Sequence, residues 1–413
     1  MEYYLVATLA SVLIIGARRL PFFRAERSLG VRRTMLTVCF CAMVPLLLIS
    51  SLRWNVGTDT WHTYTPEYLA MKSESMALTE EEESIMLSCY KQVNMLDNNY
   101  TKEQAENLTL QEAYGFFKEV YHHTAPGFQA IEKFLVLLKA DVQWLYFITS
   151  LIILSFVFLS IYTQSSIPEL ACLLFVITGS FFQSLNIVSQ YIAISICLFA
   201  CTFAEKQKPV PFILLILLAC LFHKSAIIYL PVYFLPRLHI RPIWCVTAIA
   251  ALFVAAPVVV PLLGKAIEVI LPQYATYFSY VPAAFEWIFF ALGAAVLIAG
   301  TYYYDEGKGK PYYRLWFYSN VLGMLALCFS GGIPLMKRIN FYFAAPHFLF
   351  LPLLVGCEKN QTRRKLLTAA IVLLFIAETV VAVMYMNKNG VLPYQTFLQT
   401  SRFDFSDLWV PAP

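Results

Sequence analysis

Three stretches of this chain, Val142 to Pro168, Leu170 to Ala204 and Pro242 to Gly264, contain no Asp, Glu, Lys or Arg. Such runs reach or exceed the roughly 20 apolar residues that cross a bilayer. Inside hydrocarbon no water satisfies the backbone, so only helices or a closed barrel can span. The apolar runs here are continuous, whereas barrel strands alternate over about ten residues. Helices are therefore expected. Composition agrees: 59% of the residues are hydrophobic and 14% charged, against about 25% charged in soluble domains.

The expected fold class is all-α, a polytopic transmembrane helical bundle over 1–413 with about 12 membrane segments and one long external loop. Hydropathy places the segments near 3–17, 34–52, 144–162, 169–186, 187–204, 209–222, 225–236, 242–263, 285–304, 315–333, 341–356 and 366–386. Lys and Arg accumulate in short cytoplasmic loops. The first connection carries Arg18, Arg19, Arg24, Arg27, Arg32 and Arg33, which puts it inside. Alternation then puts Lys206, Lys208, Arg237, Arg241, Lys308, Lys310, Arg314, Lys359, Arg363, Arg364 and Lys365 inside as well. That parity requires 209–236 to enter and return as a hairpin with His223 and Lys224 at its turn. The N-terminus, the tail after Met386 and the acidic loop region 53–143 are then extracytoplasmic.

A formal charge of +4 is no nucleic-acid signature. No repeat, P-loop or nucleotide fingerprint is legible, which argues against an ATP-driven pump. No CxxC or zinc spacing occurs, so no metal or cofactor is expected.

Four constellations near the outer face could carry chemistry. The first is Arg53-Trp54-Asn55-Val56-Gly57-Thr58-Asp59, followed by Tyr64. A guanidinium, a glycine allowing close backbone approach, a carboxylate and aromatic rings suit a phosphorylated sugar; the plainer alternative is an interfacial aromatic belt. The second is His223-Lys224-Ser225, a base beside a cation, or simply a helix-end cap. The third is Lys337-Arg338, cations against the positive-inside trend, or snorkelling side chains. The fourth is the polar helix start from Asn186 to Gln190. Glu286 and Glu378 lie at or within expected helices and would serve an ion-coupled transporter, or be paired structural carboxyls.

The string Leu52-Arg53-Trp54-Asn55-Val56-Gly57-Thr58-Asp59 with Tyr64 resembles the opening signature of the EpsG family, Wzy-like polymerases of bacterial exopolysaccharide, capsule or O-antigen. Pro126-Gly127-Phe128, Leu221-Phe222-His223-Lys224-Ser225-Ala226 and Lys337-Arg338-Ile339 with Tyr342 are similar to later elements of that family, in the same order. Two departures stand out: Ser189 precedes Gln190 where similar proteins often carry Arg, and the 70–125 loop is longer than usual.

The resemblance implies an enzyme of the bacterial cytoplasmic membrane. It implies glycosyl transfer from a growing glycan on undecaprenyl pyrophosphate to a lipid-linked repeat unit, with no nucleotide sugar. Membrane lipid, a flippase and a chain-length regulator are the implied partners, and nucleic acid is not one. The implied catalytic set is Arg53, Asp59, His223 and Arg338, with Gly57, Thr58, Tyr64, Gln190, Lys224, Lys337 and Tyr342 binding substrate. Arg53, Lys337 and Arg338 would hold pyrophosphate, and His223 or Asp59 would deprotonate a sugar hydroxyl. A lipid-linked glycan flippase or transporter, or a membrane O-acyltransferase using His347, are the alternatives from other classes.

Overall fold

The computed structural model describes residues 1–17, 30–97, 100–121, 125–270, 278 and 285–398. Most of the basic first connection, and the tail beyond 398, lie outside the described residues. Helices α1 (Glu2–Gly16) and α2 (Gly30–Leu52) lead to a tight loop and a π-helical turn, Thr60–Tyr64. The region between α2 and the next long helix is itself helical: α3 (Thr65–Ser73), α4 (Glu80–Asp97), α5 (Lys102–Glu106), α6 (Leu110–Tyr121) and α7 (Pro126–Leu137). Then follow α8 (Gln143–Gln164), α9 (Pro168–Ile177), α10 (Ser180–Asn186), α11 (Val188–Glu205) and α12 (Pro209–Phe222). A 3₁₀ helix, Lys224–Arg237, precedes α13 (Pro242–Ile270), α14 (Trp287–Tyr302), α15 (Tyr304–Gly307) and α16 (Tyr313–Cys328). The chain closes with α17 (Leu335–Ala344), α18 (His347–Cys357) and α19 (Gln361–Thr379), which runs on as a π-helical turn to Tyr385.

Local sequence explains many of the boundaries. Proline opens α3, α7, α9 and α12, where its missing N–H is not needed and its φ is already helical. Thr101 and Gln104 form a reciprocal capping box on α5, and the Asn360 side chain accepts from the first turn of α19. Among the described residues the only β contact is an isolated bridge between Arg53 and Thr396.

The fold class is all-α, but length and apolarity support fewer crossings than the dozen expected. Among the described residues, four helices are long and apolar enough alone: α8, α11, α13 and α19 with its continuation. Counting the bent pairs α9–α10 (53°) and α17–α18 (43°) as single spans gives six. Helices α1, α12 and α14 have the composition of spans but only 15, 14 and 16 residues, so length does not confirm them as crossings. Burial sorts the long helices: 78% of the apolar window of α11 is covered by protein, against 22% for α13 and α19, whose remaining apolar faces suit lipid.

The 209–236 region is a hairpin. The Phe212 and Tyr233 rings lie 5.3 Å apart, and Arg237 Nε donates to Gln207 Oε1 at 2.9 Å, so the two limbs run side by side from a turn at His223. The returning limb is 3₁₀ rather than α. At ~2.0 Å per residue it covers about 28 Å, where an α-helix of that length would cover about 21 Å.

Contacts join separate loops at the two ends of the bundle. At one end Arg314 Nη1 lies 2.8 Å from His239, Lys310 donates to the Gly356 carbonyl at 2.6 Å, and Tyr303 donates to Glu358 at 3.0 Å. Among the described residues, that end gathers the later basic loops. At the other, the Tyr4 hydroxyl donates to the Val391 carbonyl (3.1 Å), Trp54 N–H to Gln395 (2.9 Å) and Gly57 N–H to Gly390 (2.8 Å). The start of the chain, the 53–59 loop and the segment 389–396 therefore share one end, together with the α3–α7 cap.

Candidate functional site

A cavity of about 450 Å³ opens at the cap end, lined by Asp59, Thr63, Tyr64, Glu67, Ser189, Gln190, Phe222, His223, Lys224 and Arg338 among others. Four distant parts of the chain meet there, and each is brought in by a traceable local device.

The loop after α2 is fixed by backbone geometry. Gly57 has φ +96°, and a Cβ there would lie 2.6 Å from the Leu185 carbonyl oxygen. Only glycine accepts both conditions. The loop thus seats on the end of α10, where Asn186 Oδ1 accepts from Thr58 Oγ1 and from Asp59 N–H, each at 2.9 Å. Gly57 and Thr58 accordingly dock the loop against protein, and neither lines the cavity. Asp59, Thr63 and Glu67, spaced by four, then share the face that the π turn and α3 present to the cavity.

The Pro126-Gly127-Phe128 step is a second docking device. A Cβ on Gly127 would sit 2.9 Å from the Leu221 carbonyl oxygen, so α7 packs directly on the end of α12. The buried Phe128 ring lies 5.0 Å from that of Tyr64. Tyr64 is held from the other side by Ser189, whose N–H donates to its hydroxyl at 3.1 Å; the Ser189 hydroxyl donates to the Phe222 carbonyl at 2.6 Å. Ser189, standing where an Arg was expected, thus ties the wall together.

His223 sits at the hairpin turn. Its Nδ1 is 2.6 Å from Ser225 Oγ, which donates to the Tyr342 hydroxyl at 3.1 Å. Ser225 thus fixes the ring through Nδ1 and leaves Nε2 as the other nitrogen of the imidazole. Burial first, and then the Arg338 charge, pull His223 below its usual range, so it stays neutral at pH 7. Tyr342 itself is buried behind this relay.

Arg338 is exposed into the cavity and forms no ion pair among the described residues. Its carbonyl accepts from Gln190 Nε2 at 2.8 Å, locking α17 to the start of α11. Lys337 points elsewhere: its Nζ is 2.5 Å from Glu286, whose other oxygen lies 3.7 Å from Lys388. Lys337 is thus neutralised away from the cavity, and Lys224 is the second cation on its wall.

Arg53 is not on the wall. It is 1% exposed, lies 5.0 Å from the Tyr146 ring centroid, and its three guanidinium nitrogens find no hydrogen-bond partner among the described residues. The structure thus brings together Asp59, His223 and Arg338 with Tyr64, Gln190 and Lys224; Arg53, Gly57, Thr58, Lys337 and Tyr342 stand behind or beside them.

Two carboxylates escaped the sequence reading. Glu67 lines the cavity at 2% exposure, and Glu132 of α7 is fully buried. Burial, and then the Asp59 charge, push Glu67 up to about 8. Burial, and then Glu67, push Glu132 well above the carboxylate range. Asp59 is also raised by burial, against the pull of His62 and Arg338. The four-residue spacing from Asp59 through Thr63 to Glu67 is the signal that could have found the first of them.

A second, smaller void of about 40 Å³ lies among α10, α14, α16, α17 and α18. It contains His347, which is paired with Asn320 at 2.8 Å. That is room for little more than water.

The family model described as the EpsG family matches residues 36–396. Neither the search of curated proteins nor that of solved structures returned a match.

Proposed function

This chain belongs to the EpsG family of Wzy-like polymerases, and on that premise we propose that it joins lipid-linked oligosaccharide repeat units into a surface polysaccharide. The donor is the growing glycan on undecaprenyl pyrophosphate, and the acceptor is a repeat unit on the same lipid. Transfer takes place at the outer face of the bacterial cytoplasmic membrane. The N-terminus, the 53–143 region and the chain after Met386 lie on that face, and the flippase and chain-length regulator are its partners.

One observation carries the proposal: the cavity joins two cations that form no ion pair among the described residues, Arg338 and Lys224, to hydrogen-bond acceptors at Asp59 and His223. Glycosyl transfer from a lipid pyrophosphate needs that pairing. Cations stabilise the charge that develops as the pyrophosphate leaves, and acceptors orient the attacking hydroxyl. A volume of about 450 Å³ holds the reacting sugars while the lipids and the remaining glycan stay outside. The gathering of the basic loops at the opposite end supports an outward-facing site.

Surface glycan from a deletion strain tests the function. Glycan limited to single repeats supports the polymerase. Complete loss would point to a flippase, and full-length glycan lacking a modification to an acyltransferase.

A further inference from the structure

Resting on the polymerase reading, we propose that Glu67 is a catalytic residue: it takes the proton of the attacking sugar hydroxyl, which Asp59 and His223 orient. The geometry singles it out. Glu67 reaches the cavity from α3, is 2% exposed, and its Oε2 finds no hydrogen-bond partner among the described residues. A buried carboxylate oxygen left unsatisfied is costly, and a substrate hydroxyl donating to it removes that cost.

The charged groups around Glu67 explain why it outcompetes its neighbours as a base. Asp59 lies one turn beyond Thr63 on the same face, and Glu132 faces it from α7. Lys72, on its own helix, is engaged by Glu82 of α4 at 2.6 Å, and Lys118 of α6 pairs with Glu74 at 3.0 Å. Across the cavity stand Arg338, Lys224 and His223. Burial raises Asp59, but His62 and Arg338 pull against it, and burial with Arg338 weakens His223 as a base. Burial first, and then the Asp59 charge, strengthen the hold of Glu67 on a proton instead. Its value of about 8 sits near the working pH, where a general base is most effective.

In the step, the acceptor O–H bond breaks and its proton passes to the Glu67 carboxylate. The freed oxygen pair bonds the donor's anomeric carbon, and the bond from that carbon to the pyrophosphate oxygen breaks. That bonding pair leaves on the lipid pyrophosphate beside Arg338. Glu67 then loses its proton to water through the open cavity.

The experiment follows chain growth from lipid-linked repeat units by purified full-length protein in proteoliposomes between pH 6 and 9. Wild-type rate should climb about tenfold per pH unit and level off above about pH 8. Glu67→Gln should fall at least about 100-fold and lose the slope. Glu67→Asp should keep the slope at a reduced rate, and Asp59→Asn should move it to lower pH by removing the neighbouring charge. Glu67→Gln with a reduced rate but an unchanged pH slope, or with wild-type rate, would overturn the role of Glu67 alone. Wild-type protein that extends no chain on intact substrate would overturn the polymerase reading and Glu67's role with it.

Discussion

Lys337 and Arg338 are adjacent cations of one motif, yet truncating each to alanine should give opposite results. Arg338 reaches into the cavity unpaired, so its loss exposes no core and leaves folding nearly unchanged. If it grips the departing pyrophosphate, the loss removes a contact that strengthens in the transition state. One such contact contributes about 100- to 1,000-fold, or about 2.7–4 kcal/mol. Lys337 is bound to Glu286 at 2.5 Å with the two side chains 35% and 19% exposed. A half-exposed pair of this kind contributes about 0.2–1 kcal/mol, which fully transmitted would change a rate by about fivefold at most. Arg338→Lys should fall between, because an ammonium cannot grip two oxygens at once. The assay is chain growth in proteoliposomes, with glycan ladders on cells at matched membrane levels. A wild-type ladder from Arg338→Ala, or a deeper defect from Lys337→Ala, would refute the assignment.

Three further outcomes follow from the geometry. Arg53→Met should raise the melting temperature in detergent, because it keeps the volume and removes a buried charge that only a cation–π contact of about 2 kcal/mol offsets; a fall would show that the guanidinium is satisfied. Gly57→Ala should destabilise the protein by about 1–3 kcal/mol and displace Asp59, since the new Cβ meets the Leu185 carbonyl at a strained φ; unchanged melting and activity would contradict this. Glu67→Gln should stabilise the protein at pH 8 and above but hardly at pH 5. Its folded-state value of about 8 lies above the ordinary 4.5, so the folded state binds the proton more tightly and stability drains as pH rises between them. The upper bound is about 5 kcal/mol, and equal pH dependence of melting in both proteins would refute it.

Much of the site was legible because motif residues carry their chemistry in their type. Asp59, His223, Arg338 and Lys224 were named from charge and spacing, and the cavity unites them. Gly57 was legible as a close approach and Gly127 only as part of a family-like step, and a sequence does not say what approaches. Here it is the Leu185 and Leu221 carbonyls rather than a ligand. Lys337 could not be separated from Arg338 because its neutralising partner, Glu286, lies about fifty residues away. Glu67 was hidden because a lone glutamate between Pro66 and Tyr68 reads as a solvated helix start, and only tertiary packing buries it. The number of crossings is less legible, because hydropathy reports apolarity without length, and α1, α12 and α14 are apolar yet short.

The loop that carries Asp59 is held by backbone bonds to residues 389–396, which follow the last of the helices among the described residues. That places a constraint on biogenesis. A nascent chain can insert all its helices and still present Asp59 on an unsupported loop until this last strap is threaded back. A product cut after Met386 would therefore reach the membrane with its helices in place and its site unfinished.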